Sequence, residues 1–244
     1  MMRRILFILL GNLLVAVFAL LASSMVYAAK SEAYKIKKKD FRKQIETVAL
    51  VPADAPQWMK MSPELKASIE AQITKLLSRK GFDVLPSDKM QAIRTTMAGQ
   101  LGSMKTAEGE LDIEKQEAVL EHSLRELLFR NPSIDAVLGI RVRFVPAPFE
   151  NDRAKWHEVT QKVQKSDNSL YDLMTGGKYT GHIGASSLDV SFWDRSNKLL
   201  YHNSGGLELV MMRNGKQLNR LPAAQLFQDE KRIKSAIKIA FKPF

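Results

Sequence analysis

The chain has 244 residues, 45% of them apolar, with a formal net charge of +11 and no cysteine. Its length supports one sizeable core. The missing thiols exclude a disulfide framework, a cysteine nucleophile and a lipid-modified amino-terminal cysteine.

In chain order, the first expected element is an export signal. Arg3 and Arg4 precede an apolar run from Ile5 to Ala22, broken only by Gly11 and Asn12. Val26-Tyr27-Ala28-Ala29 then offers small residues where signal peptidase cuts. Cleavage after Ala28 predicts a periplasmic protein of 216 residues with a net charge of +9. The competing reading keeps residues 5–22 as an inner-membrane anchor, because the run is about as long as the ~20 residues that span a bilayer. In both cases the remainder is expected to be exported.

Residues 29–44 read as a basic, flexible leader. Lys30, Lys35, Lys37, Lys38, Lys39, Arg42 and Lys43 stand there against Glu32 and Asp40. Such a block attracts anionic surfaces, so an anionic membrane is a candidate partner through Lys35, Lys37, Lys38 and Lys39. Nucleic acid is not an expected partner of a periplasmic protein.

Residues 45–244 are expected to form a single domain. Thr47 to Val51 is a β-branched apolar run that suits a strand buried on both faces. Ser62-Pro63-Glu64 starts a helix bearing Leu65, Ile69, Ile73 and Leu76, and Gly81 stops it. Phe82 to Leu85 reads as a second strand, parallel to the first. Asp88 is expected to cap a short helix, Gly99 to Gly109 to form a loop, and Asp112 to Phe129 a longer helix ended by Asn131-Pro132.

Ile134 to Val145 carries the strongest strand pattern. Residues 146–178, with Pro146, Pro148 and Gly176-Gly177, read as a long loop holding one weak edge strand from Trp156 to Val163. From Tyr179 to Trp193 the apolar phase slips from odd to even positions, which predicts a bulge near Gly184 to Ser187. Asp194 to Asn197 then turns into Leu199 to His202, and Gly205-Gly206 is read as another turn. A final amphipathic helix starts near Asp229, with Ile233, Ile237 and Phe241 on one face. The expected fold is mixed α/β: a βαβ first half, an antiparallel meander, and helices packed on the sheet.

Several of these pieces, TVALVPADAP, Lys80-Gly81-Phe82, Ile134 to Leu138, SLDVSFWDRSNKLLY and DEKRIKSAIKIAFKPF, together resemble a loose group of bacterial envelope proteins. The group includes the amino-terminal domain of the Tol-system propeller protein, the curli-secretion lipoprotein and the lipoprotein activators of penicillin-binding proteins. The resemblance implies a mixed sheet flanked by helices and a role in binding or assembly, with no catalytic residue to carry over. Many of that group are lipoproteins, whereas this chain has no cysteine to lipidate.

Chemical motifs are sparse. His182 and His202 face each other only if the meander aligns them, with Asp189 or Glu208 nearby, and no HExxH pattern exists. Met59-Lys60-Met61 is a weak soft-metal pattern. Gly176-Gly177-Lys178 lacks the spacing of a phosphate loop, and Ser186, Ser187 and Ser204 lack the glycines of a nucleophile elbow. Glu108, Glu110, Asp112 and Glu114 suit a helix start. No cofactor, metal or catalytic residue is expected. The candidate interaction surface is Trp58 and Met59 past a buried strand, Arg141 and Arg143 on one strand face, and Trp156. The leading expectation is a non-catalytic periplasmic accessory that binds an envelope protein and supports assembly or transport. The alternatives are a small-molecule or lipid carrier or sensor, and a hydrolase with an unrecognised site.

Overall fold

The computed structural model describes residues 33–106, 112–163, 180–214 and 217–244, so the expected export signal falls outside the described residues. The fold is mixed α/β. Strand β1 (Thr47–Leu50) lies between two parallel neighbours, β2 (Asp83–Leu85) and β3 (Ala136–Glu150), with Val48 opposite Val84 and Ala136. It is buried on both faces, as its continuous apolar run requires. The Asp135 carboxylate fixes its start by accepting the Glu46 and Thr47 amides at 2.9 Å each.

The crossover from β1 to β2 and the one from β2 back past β1 to β3 run in opposite directions across the sheet, so crossovers of one hand place their helices on opposite faces. Helix α1 (Lys38–Gln44) precedes β1, and α2 (Pro63–Arg79) joins β1 to β2. In α2, Ser62 Oγ accepts the Leu65 amide, and Gly81 ends the helix region at a φ of 87°. Its Ile69, Ile73 and Leu77 pack on the even-numbered side chains of the sheet. The helices α3 (Ser87–Leu101) and α4 (Ile113–Arg130) cover Ala49 and Ile134 on the other face through Met90 and Leu127. Asp88 lies inside the first turn of α3, whose cap position is Pro86, and the helix runs on into the expected loop. Asp112 caps α4 as its spacing predicts, and its side chain accepts the Lys115 amide.

Beyond Val145 the structure corrects the sequence reading. The stretch taken as a loop from residue 146 continues β3 to Glu150. It then folds into a hairpin of β4 (Arg153–Trp156) and β5 (Val159–Lys162); residues 164–179 lie outside the described residues. Prolines are tolerated in β3 because of phase. Asp54 N–H donates to Ile140 O, and Asp54 O accepts the Val142 amide, so even-numbered residues turn their backbone polar groups away from the neighbouring strand β6 (Thr180–Asp194). Pro146 and Pro148 share that phase, and β6 never needs the N–H that they lack. Along all of β3, β6 pairs antiparallel from Ala136–Asp194 to Glu150–Thr180.

Strand β7 (Leu199–Leu209) pairs with β6 and passes straight through Gly205-Gly206. Those glycines make no turn. A Cβ at Gly205 would overlap the Ala236 carbonyl of helix α5 (Glu230–Ala240), and one at Gly206 would sit 2.8 Å from Val159. Glycine is demanded by close approach of a helix and a hairpin. The register slip between Ala185 and Ser187 is the bulge that the apolar phase predicts. A separate hairpin, β8 (Met211–Asn214) with β9 (Gln217–Arg220), follows β7. Asp229 caps α5, and Ile233, Ala236 and Ile237 pack it down.

The outer edge of β7 is sealed along most of its length. Ala33 and Lys35 bond to His202 and Leu200 as an added strand. The His157 carbonyl accepts the Gly206 amide, and the Gln161 side-chain amide spans Leu207 O and Leu209 N. Such sealing blocks edge-to-edge association. It also corrects the flexible-leader reading for residues 33–44: Phe41 is fully buried and Ala33 lies in the main core. The apolar spacing Ala33, Phe41, Ile45 outweighs the lysines between, whose side chains stay exposed.

Replacing Gly205 with Ala is expected to cost about 3 kcal/mol through overpacking and to lower the thermal midpoint by roughly 6–12 °C. An unchanged midpoint in a calorimetric scan would mean that α5 does not press on β7.

Candidate functional site

Alternation sets up the site. On β3, Arg141 and Arg143 share a face, and they lie opposite Asp189 and Ser187 of β6. On β7, Ser204 and His202 lie opposite Asp189 and Ser191. The even residues between them, Leu188, Val190 and Phe192, are fully buried in the helix-packed core. One strand therefore shows an oily face and a polar one, and the polar one forms a seam between two apolar clusters. On one side lies the α3–α4 contact; on the other a satellite core of Ala147, Ala154, Trp156, Ile183, Ala185 and Leu209.

Asp189 is the centre of the seam. It is only 5% exposed, and it forms an ion pair with Arg143 while accepting from Ser204 Oγ at 2.7 Å. A carboxylate removed from water needs such partners. Two histidines flank it. His157, in the β4–β5 turn, shares a hydrogen bond between Nδ1 and Ser187 Oγ at 2.7 Å, and His202 Nδ1 does so with Ser191 Oγ at 2.8 Å. Burial holds both imidazoles below their ordinary pKa of 6.5; the Arg143 charge adds to this, and Asp189 opposes it. Lys35 pushes the His202 pKa down further.

Chemically the seam is a hydrogen-bonded clamp. Ser187 is fully buried beneath His157, and Asp189 is engaged by Arg143 and Ser204 and forms no hydrogen bond to either imidazole, so the three residue types do not form a relay. His182 lies opposite Pro148 and His202 opposite Ser191, about 30 Å apart along β6 at ~3.3 Å per residue. They do not face each other. Among the described residues, no group of three or more His, Asp or Glu side chains is placed to hold a metal ion.

The candidate interaction residues separate. Met59 is fully buried in the main core and Trp156 in the satellite core, where its Nε1 donates to Ser186 O at 3.0 Å. Both are corrected to packing residues. Arg143 belongs to the seam and Arg141 is exposed beside it. Trp58 lies apart from them, because its partner Phe144 is an even residue of β3. The rings meet edge to face at 5.8 Å, with the Arg220 guanidinium 4.7 Å over the indole. Met61 is half-buried against the core, and Gly176 to Lys178 fall outside the described residues.

Motif spacing does not reveal the seam, yet its signal is in the sequence: Ser187, Asp189 and Ser191 alternate strictly with apolar residues. A second feature lies behind α5. A cleft of about 700 Å³ runs between β5, β7 and α5, lined by Leu207, Met211, Leu221 and Gln161. At its wall Glu208 accepts the Phe227 amide and lies 3.7 Å from Arg232. Burial raises its carboxyl above the usual range, against the Phe227 hydrogen bond and Arg232. No protein-family model matches the chain, and no curated protein matches it.

Because both histidines bind protons more weakly folded than unfolded, their contribution to stability is complete above pH 6.5. It falls as pH drops through 6.5 toward their lowered values. Thermal melts between pH 7.5 and 5 are expected to show this loss, and a His157→Gln, His202→Gln variant to flatten it. An equally steep profile in that variant would place the proton uptake elsewhere.

Proposed function

We propose that this chain is a non-catalytic accessory protein of the bacterial envelope that docks on another envelope protein and supports its assembly or transport. The observation that carries this reading is the aromatic and arginine patch of half-buried Trp58 with exposed Phe144 and Arg220. Phe144 is 45% exposed on β3, and Leu218, on the same face of β9 as Arg220, is 40% exposed. Tryptophan and arginine anchors around exposed apolar surface characterise protein interfaces. The charged, apolar and small-residue order of residues 1–29 supports export. The likeness of the strand and hairpin segments to envelope proteins that bind or assemble supports the class. The cleft behind α5 favours the second reading, a carrier of a small molecule with an apolar body and a polar head that meets Arg232.

A photoreactive amino acid at position 144 is expected, in living cells, to crosslink one dominant envelope protein. Trp58→Ala should weaken that binding about 30-fold, as loss of an interface anchor does. Mass spectrometry of the same sample should find the amino terminus at Ala29. A position-144 probe that captures no more than one at Lys89 would refute the docking surface.

A further inference from the structure

We infer that α1 and the turn after α2 form a fixed basic face that rests on an anionic phospholipid surface. The starting point is that the basic block is folded. Phe41 is wedged edge to face against Phe82, Phe192 and Phe244, with ring centroids 5.3–6.3 Å apart. That anchor turns Lys37, Lys38, Lys39 and Lys43 outward, where all four are exposed. Two further cations join them. The Arg42 guanidinium lies 4.6 Å over the Phe82 ring and donates to the Lys80 carbonyl at 3.1 Å, while the Lys80 ammonium donates to Phe244 O at 2.9 Å.

Acidic groups on these segments are Asp40, Glu46 and Asp83. Among the described residues, none of Lys37, Lys38, Lys39, Arg42, Lys43 and Lys80 forms an ion pair. Six cations thus gather on this helix and turn against three acidic side chains, with Lys38 donating to the Pro243 carbonyl and Lys80 to Phe244 O. The Lys80 ammonium registers this crowding: burial, then Arg42 and Lys38, lower its pKa. Clusters of four to eight Lys and Arg on one helical face bind anionic lipid headgroups, where the surface potential sums over all of them. A single soluble anion would need donors converging on a point, whereas these spread along seven residues of helix, about 10 Å, and onto the neighbouring turn. The complement is therefore an extended anionic plane. The inference goes beyond the docking reading, and vesicles contain no protein, so either can fail without the other.

The test uses the chain from Ala29 onward, which keeps every described residue. Its sedimentation is compared with vesicles of phosphatidylcholine alone and with 30 mol% phosphatidylglycerol. Binding is expected to be at least tenfold tighter to the anionic vesicles at 0.1 M salt. The variant Lys37→Gln, Lys39→Gln, Lys43→Gln is expected to lose about a hundredfold while keeping its thermal midpoint, at roughly fivefold per charge. Lys89→Glu, on α3 across the sheet, should change binding less than twofold. In membranes holding the full chain, photoactivatable phosphatidylglycerol should label residues 33–45, and the triple variant should lose that label. Equal binding to both vesicle types, an unaffected triple variant, or an equal loss in Lys89→Glu overturns the inference. So does displacement by 10 mM inorganic phosphate, which would indicate a soluble-anion site, or by a short DNA duplex, which would indicate a nucleic-acid surface.

Discussion

The antiparallel pairing of β3 with β6 runs over the full length of both strands, and every other element is placed by it. Its first part, next to β1, carries the main core under α1, α2 and α5. Its last part carries the satellite core under the β4–β5 hairpin. A ladder that long must bend to serve two cores, and the slip between Ala185 and Ser187 in the β6–β7 pairing provides the bend. Glycines then permit the covering elements to touch backbone: Gly139 admits the Trp193 ring, and Gly205 admits α5.

The polar seam gives this pairing its register. A one-residue slip of β6 would send Asp189, Ser187 and Ser191 into the helix-packed core and bring Leu188, Val190 and Phe192 into the seam. Asp189 would lose Arg143 and Ser204, leaving a buried carboxylate unpaired, which is far costlier than any apolar mismatch. The histidines extend the effect outward. Through Ser187, His157 ties the β4–β5 turn to the seam, and Gln161 ties the same hairpin to the edge of β7. Edge sealing and register are thus enforced by the same hairpin.

Much of this was legible in the residues. Ser62-Pro63 and Asp112 mark helix starts because capping is local chemistry, and the phase change from Ile183 to Leu188 marks the bulge because apolar periodicity reports the sheet face directly. What stayed hidden depends on tertiary partners. Pro146 and Pro148 look like strand breakers until the bonding phase of β3 is known. Gly205-Gly206 looks like a turn until a helix is seen pressing on it. Trp58 and Trp156 are alike in sequence, yet one meets Phe144 near the surface and the other closes a core. Arg143 could be picked out as a strand arginine, but its acid partner lies 46 residues away.

The segment 33–45 carries the widest consequence, since it decides whether its six basic side chains belong to a tail or a surface. Its amides are bonded into the domain: Lys35 to Leu200, His202 to Ala33, and Phe41 and Ile45 within α1. Amide hydrogen exchange over residues 33–45 tests this most directly. Protection of Lys35, Phe41 and Ile45 within a few orders of magnitude of the β3–β6 amides is the expected result, because opening them requires pulling Phe41 out of the core. Exchange at the rate of an unstructured peptide would contradict it, and with it both the sealed edge of β7 and the fixed basic face.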